Sequence, residues 1–295
     1  MRTILCTIIV FCLLSVLSLT SSHGAVERTF VTGSFGLFLD GKFAGPVRSA
    51  KGGDVVAQLS SRTSGNVVGK VVSTSRVEPL VIEMAPAVNE ALFRWISSSI
   101  AGAGKSANIE LVRYDSLGKA LRTRHYQQAL LTGLAVPALD GSDRSVGTLR
   151  LTIQSSRVSY RDGGSSMSSQ GKTAPWNISN FRVLLDGLPT NQLKKLGSLT
   201  WSRTISSGDA GPVRNTSPSL GAMQVDDLAL ETYDSTKAWR RWFASFVLEN
   251  KSSSKYRKSG SIDLLSSDMT TVIASFRLQN VGISALRDTS NESMV

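Results

Sequence analysis

Apolar positions in this chain come in short alternating or β-branched runs closed by turn residues, the pattern of β-strands. Phe35-Gly-Leu-Phe-Leu runs into Asp40-Gly41, a strand entering a tight turn. Asp54 to Leu59 and Asn66 to Val72 predict two strands with Arg62-Thr-Ser-Gly65 between them, and Leu80 to Met84 predicts another. The period then changes. Pro86 opens a segment in which Val88, Leu92, Trp95, Ile96 and Ile100 fall at helical spacing, and Gly102 and Gly104 end it. Ala107 to Tyr114 and Lys119 to Leu131 read as a hairpin around Asp115-Ser-Leu-Gly118. Thr148 to Tyr160, with Leu149, Leu151 and Ile153 alternating, reads as a last strand before a turn-rich stretch.

The pattern then repeats. Phe181-Arg-Val-Leu-Leu-Asp186-Gly187 echoes Phe35 to Gly41. Val77-Glu-Pro-Leu-Val-Ile-Glu83 is echoed by Val225-Asp-Asp-Leu-Ala-Leu-Glu231, and both precede a helical pattern. The helix with Phe93 and Trp95-Ile96 is echoed at Ser235 to Val247, with Trp239 and Trp242-Phe243. Ala107-Asn-Ile-Glu-Leu111 with Asp115 returns as Gly260-Ser-Ile-Asp-Leu264 with Asp268, and Tyr126-Gln-Gln has a looser counterpart in Phe276-Arg-Leu. Blocks in the same order, at offsets that drift by a few residues, predict a duplicated domain with insertions in its loops.

Residues 162–176, rich in Gly and Ser with little to bury, are the expected linker. The expected organisation is an export signal at 1–24, one domain at 25–161 and a second at 177–295. The fold class is mainly β (α+β): two tandem β-sandwich or barrel domains, each with one flanking helix. The second copy departs from the first in two ways. Ser206 to Gly221 reads as a long loop, and the strand at Leu149 to Tyr160 has no obvious equivalent. A missing strand leaves either a smaller sheet or an open edge on which another chain can pair.

Composition adds limits. A chain of 295 residues, 41% hydrophobic and 19% charged, is globular rather than disordered. Met1-Arg2 followed by the apolar stretch Ile4 to Leu17 and by Ser22-His23-Gly24 has the form of an export signal cut before Ala25. The rival reading is a retained anchor, for which the apolar run is short. Export places the protein in the periplasm, at the cell surface or outside the cell. Cys6 and Cys12, the two cysteines, both lie in that segment, so a processed chain has no disulfide, thiolate metal site or cysteine nucleophile. The net charge of +11 is spread over both halves. Arg122-Thr-Arg-His125 and Lys255-Tyr-Arg-Lys258 are the local clusters. They lack the aromatic interleaving of a single-strand platform, so no specific nucleic acid is expected and an anionic surface stays open as a partner. Four Asn-X-Ser/Thr sites, at Asn177, Asn215, Asn250 and Asn291, matter only in a eukaryotic secretory pathway.

No residue is assigned a catalytic, cofactor or metal role. Gly102-Ala-Gly-Lys-Ser106 contains G-K-S, but Ser99 stands where a phosphate loop needs Gly, and a helix precedes where a strand should. His125 is the sole histidine beyond the signal, too few for a multi-histidine metal site, and no G-x-S-x-G elbow accompanies it. Asp40 and Asp186 fit turn chemistry, whereas Asp226 and Asp227 are strand neighbours that point apart. Trp95 and Trp242 read as helix anchors in a core, and Arg240-Arg241 as a solvated helix face.

The quoted blocks resemble the contractile-phage tail-tube family, whose fold is shared with the Hcp tube protein of type VI secretion. That family opens with a strand of the form F-x-V-x-[IVL]-D-G, nearly matched at Phe35–Gly41 and Phe181–Gly187. A later helix carries W-[LIVF], matched at Trp95-Ile96 and Trp242-Phe243. A strand [IV]-x-[LV] with an acidic turn is matched at Ile109–Leu111 with Asp115 and at Ile262–Leu264 with Asp268. The resemblance implies a non-enzymatic structural protein whose copies join strand to strand into rings and tubes. With two copies per chain, three chains would complete a ring of pseudo-six-fold symmetry. Members of the family are normally made without an export signal, so the alternative is an exported binding or adhesion module that kept the fold.

Overall fold

The computed structural model describes residues 3–9 and 35–289, apart from 65–66, 87–88, 103, 166–174, 208–217 and 234–236. In chain order the strands are β1 (Thr3–Ile9), β2 (Phe35–Leu39), β3 (Lys42–Gly52), β4 (Val55–Ser64), β5 (Val67–Val77) and β6 (Leu80–Met84), followed by helix α1 (Glu90–Ile100). Next come β7 (Ala107–Tyr114), β8 (Ala120–Val136), β9 (Leu139–Asp140), β10 (Leu149–Gln154) and β11 (Arg157–Asp162). The remainder is β12 (Phe181–Leu185), β13 (Leu193–Leu196), β14 (Leu199–Ser207), β15 (Pro218–Val225), β16 (Leu228–Thr232), helix α2 (Lys237–Phe243), β17 (Lys258–Leu265) and β18 (Val272–Thr289). The chain is mainly β, as expected.

Six strands close on themselves. The order β10-β6-β3-β2-β7-β8 returns to its start because β10 also pairs with β8, so the first sheet is a six-strand barrel. Its lining follows the period of two: Leu80, Ile82 and Met84 are buried on β6, and Leu149, Leu151 and Ile153 on β10. The turn from β2 to β3 is two residues long, Asp40 and Gly41, both at positive φ, the geometry that matches the twist of a hairpin. Asp186-Gly187 makes a different turn. The Leu188 amide donates to the Leu185 carbonyl and only Gly187 has positive φ, so one dipeptide serves two turn types.

β8 is long enough to serve several partners. Its first part pairs with β7 and with β11, its last part with β10 and with β14. β10 and β11 are the single expected strand at Thr148 to Tyr160, interrupted at Ser155, whose hydroxyl donates to the Gln127 carbonyl.

The second sheet runs β12-β17-β18-β1-β16-β13-β9. β18 is as extended as β8: it pairs with β17 as far as Val281 and with β1 beyond. Sequence reading gives residues 1–24 no part in the fold, yet Thr3–Ile9 is a central strand of this sheet. The reason is physical: a short apolar β-prone run and an available strand edge satisfy each other's backbone groups. The stretch from Ser206 to Gly221 is less of a loop than expected, since β14 reaches Ser207 and β15 starts at Pro218. Its middle, like most of the expected linker, lies outside the described residues.

α1 begins at Asn89, whose side chain accepts the Leu92 amide at 2.9 Å, and lays Leu92, Trp95, Ile96 and Ile100 on the barrel. The Trp95 indole donates to the Lys105 carbonyl at 2.9 Å. α2 buries Trp239 and Trp242 and runs into a π-helical turn at Ala244–Leu248 that buries Phe246. The Trp242 indole donates to the Tyr256 carbonyl at 3.0 Å, so each helix is tied to the strand that follows it through an anchoring tryptophan. Buried side chains of both sheets form one continuous core.

Candidate functional site

Three features stand out among the described residues: a docked hairpin, an exposed hairpin and a polar cleft. The docked one is β14–β15. Leu199, Thr200, Trp201 and Ser202 pair with Val136, Ala135, Leu134 and Gly133 of β8. Leu199 and Trp201 are buried there, as are Leu134 and Val136. Beside it Lys195 and Leu196 of β13 pair with Asp140 and Leu139 of β9, and the Lys195 ammonium lies 2.9 Å from the Asp140 carboxylate. The Ser142 hydroxyl and amide, together with Lys195, hold the Asp140 carboxyl well below the usual aspartate range. This seam joins the segments before and after the expected linker.

The exposed hairpin is β4–β5. It occupies the same place in the strand order, between β3 and β6, that β14–β15 occupies between β13 and β16. It forms a two-stranded sheet of its own, with Val55 paired to Val77 at the base and Ser64 to Val67 at the tip. Val68 and Val72 stand about two-thirds exposed, at 67% and 66%, and Val55, Leu59 and Val71 are also exposed. Its base is held firmly. The Gly52 carbonyl accepts from Arg124 at 3.2 Å, and Asp54 lies 3.3 Å from the Arg124 guanidinium and accepts from the Tyr160 hydroxyl. Gly53 has φ +75°, and a Cβ there would fall 2.4 Å from the Tyr126 hydroxyl, so only glycine fits. A held root under a hairpin with exposed β-branched residues leaves strand edges open to pairing.

The cleft, about 1140 Å³, lies where β7, β8 and β11 meet and is lined by Asp40, Glu110, His125, Gln128, Arg157 and Arg161 among others. His125 Nδ1 is 3.5 Å from a Glu110 oxygen across the β7–β8 pair. The Asp40 carboxylate accepts the Asn108 amide at 2.9 Å, which ties the β2–β3 turn to the start of β7. On its other side His125 stands opposite Ser159 in the β8–β11 ladder. Among the described residues no three His, Cys, Asp or Glu side chains gather to hold a metal, and no helix is long and apolar enough to cross a membrane.

The remaining sequence candidates are scattered. Gly102 and Gly104 take positive φ at the end of α1, and β7 follows, so Gly102 to Ser106 is a helix exit. Asp226 uses its amide on the Thr200 carbonyl, and Arg240 and Arg241 lie on the exposed face of α2. Sequence reasoning missed the ion pair of Arg182 with the buried Asp263, joined by two hydrogen bonds of 3.1 and 2.8 Å across the β12–β17 pair. It also missed Tyr114, whose buried hydroxyl donates to the Ser165 carbonyl. Burial, and then the Glu110 charge, push its phenol up to about 12. The register that pairs Arg182 with Asp263 was readable only once Phe181 and Leu264 were known partners.

No family model and no curated protein matches the sequence. Solved structures do match in shape. A sheath/tube terminator of the extracellular contractile injection system PVC is 21% identical, with 46% of this chain and 99% of that chain covered, at a TM-score of 0.39. The tube-terminating cap of the anti-feeding prophage is 19% identical over 50% of this chain and 99% of the cap, also at 0.39. Hcp1 of Flavobacterium johnsoniae is 16% identical over 45% of this chain and 98% of its own, at 0.31.

Proposed function

We propose that this protein is a structural, self-assembling subunit whose two sheets are copies of one tube-type domain, and that it forms rings by repeating between chains a contact already made within the chain. One observation carries the reading: β14–β15 is docked on the long strand β8, while β4–β5, its counterpart in order, has its apolar residues exposed. The long strand that matches β8 is β18, so β4–β5 of one chain would seat on β18 of the next. Such a contact is head-to-tail and closes into a ring if the rotation permits. Burying the five exposed β4–β5 side chains would contribute on the order of 1 kcal/mol each, to which a continued strand ladder would add its hydrogen bonds. The reading is of a non-enzymatic subunit, and three chains per ring would give pseudo-six-fold symmetry. The expected site of action is outside the cell or in the periplasm.

Analytical ultracentrifugation and negative-stain electron microscopy test this. Wild-type chain should sediment as a closed oligomer, and the double variant Val68→Lys with Val72→Lys should stay monomeric with unchanged secondary structure. A wild-type chain that remains a stable monomer at high concentration would end the ring reading.

A further inference from the structure

The second sheet contains a strand that its neighbours in sequence do not supply. In the barrel, the place between β6 and β8 is taken by β10, antiparallel to both. In the second sheet the strands in the matching positions are β16 and β18, and the place between them is taken by β1, again antiparallel to both. The registers agree with that role. Ile4, Cys6 and Ile8 stand opposite Thr232, Leu230 and Leu228 of β16, all three of them buried. Leu5 and Thr7 stand opposite the half-buried Glu231 and Ala229. On the other side Cys6 stands opposite Leu286 and Ile8 opposite Ile283. Residues 10–34 can reach on the order of 80 Å, so the distance from Ile9 to Phe35 sets no restriction.

We propose that Thr3–Ile9 fills, in cis, a strand slot between β16 and β18, so that the N-terminal segment is a structural part of the second sheet and its loss opens a strand acceptor. The slot takes an extended apolar segment of seven residues, the length of β1. Without it, β16 and the outer part of β18 lose their ladder partners on facing edges, and those backbone groups must turn to water or to another strand. The inference does not depend on ring formation, because β1 takes the edge of β18 that faces β16 and does so within one chain. It also gives the apolar N-terminus two exclusive fates. A chain cut before Ala25 lacks the strand, and a chain that keeps it has the slot filled.

Cysteine crosslinking on the full chain tests this. In a Cys12→Ser background, Leu286→Cys puts a second thiol opposite Cys6, on a half-buried residue whose change the fold should tolerate. Facing residues of an antiparallel pair have Cβ atoms about 4.5–5.5 Å apart, which small strand motions bring into disulfide range. Mild oxidation should give one intrachain disulfide, found by peptide mass mapping and absent when Cys6 is also changed to Ser. Hydrogen exchange supplies the second arm. A chain lacking residues 1–24 should exchange the amides of β16 and of residues 282–289 at least tenfold faster, and a synthetic peptide of residues 3–9 should restore their protection where a scrambled peptide does not. Failure to crosslink, a crosslink found only between two chains, or equal protection with and without residues 1–24 would each overturn the proposal. If the truncated chain does not fold, the crosslink decides alone. Repeating it on the Val68→Lys, Val72→Lys chain separates the result from any failure of the ring reading.

Discussion

The two hairpins of this protein hold the same place in the strand order and meet opposite fates. β14–β15 lies on β8 with Leu199 and Trp201 buried, and its strand ladder continues the barrel sheet. β4–β5 shares its strands only with each other and leaves Val68 and Val72 in solvent. The local sequences do not explain this, because a docked strand edge and an exposed one offer the same backbone groups. What differs is the presence of an acceptor: β14–β15 follows a chain path that brings it to β8. An edge strand with exposed β-branched residues is normally blunted by charge or proline. β4–β5 carries Arg62, Lys70 and Arg76 but no proline, so its edge is only partly guarded.

The comparison breaks most sharply at Trp201. Trp201→Ala removes the largest buried side chain of the docked hairpin and should cost about 3–5 kcal/mol in urea unfolding, whereas Val72→Lys on the exposed hairpin should not lower the midpoint measurably at dilutions where the chain is monomeric. Equal losses from the two changes would mean that the hairpins are equally engaged. Next in size are the helix anchors. Trp95→Phe and Trp242→Phe each leave a backbone carbonyl, of Lys105 and of Tyr256, without its indole donor. Each should cost about 1–3 kcal/mol by thermal or chemical denaturation, and similar losses would strengthen the correspondence of the two helices.

A smaller effect lies in the seam between β9 and β13. Asp140 has its pKa depressed in the folded chain, so its contribution is present above the unfolded value of 3.8 and is lost as pH falls from there toward the folded value. Asp140→Asn should therefore flatten the acid limb of stability against pH and leave the neutral-pH assembly state unchanged. The Lys195→Gln variant should do so to a smaller extent, because the Ser142 hydroxyl and amide still hold the carboxylate. An acid limb unchanged by either variant would detach this pair from the seam.

Much of the fold was legible locally. Alternation at Leu80 to Met84 and Leu149 to Ile153 identified strands that prove to line the barrel, because one buried face imposes a period of two. The spacing of Leu92, Trp95, Ile96 and Ile100 identified the helix face, and the Asp-Gly pairs identified turns. Other features were not legible. Arg182 and Asp263 are far apart in sequence, and a charge on a strand says nothing about which partner will stand opposite it. The candidate site was least legible of all: Ser206 to Gly221 read as a loop where β14 and β15 pair, and nothing within β4 or β5 says what will lie beside it.

The amino-acid sequence by itself determined strands such as Phe35–Leu39, Leu80–Met84 and Ala107–Tyr114, the two helices with their tryptophans, the Asp-Gly turns, and an order of matched blocks. These follow from side-chain chemistry and periodicity over a few residues, which neighbours along the chain settle. Only the tertiary structure decided which edges meet: that β10 closes a barrel, that β14 continues it, and that Thr3–Ile9 lies between β16 and β18. A strand's pattern specifies which face is buried, but its hydrogen-bonding edge is the same repeating backbone in every strand. The partner is therefore chosen by chain path and by which edges remain open.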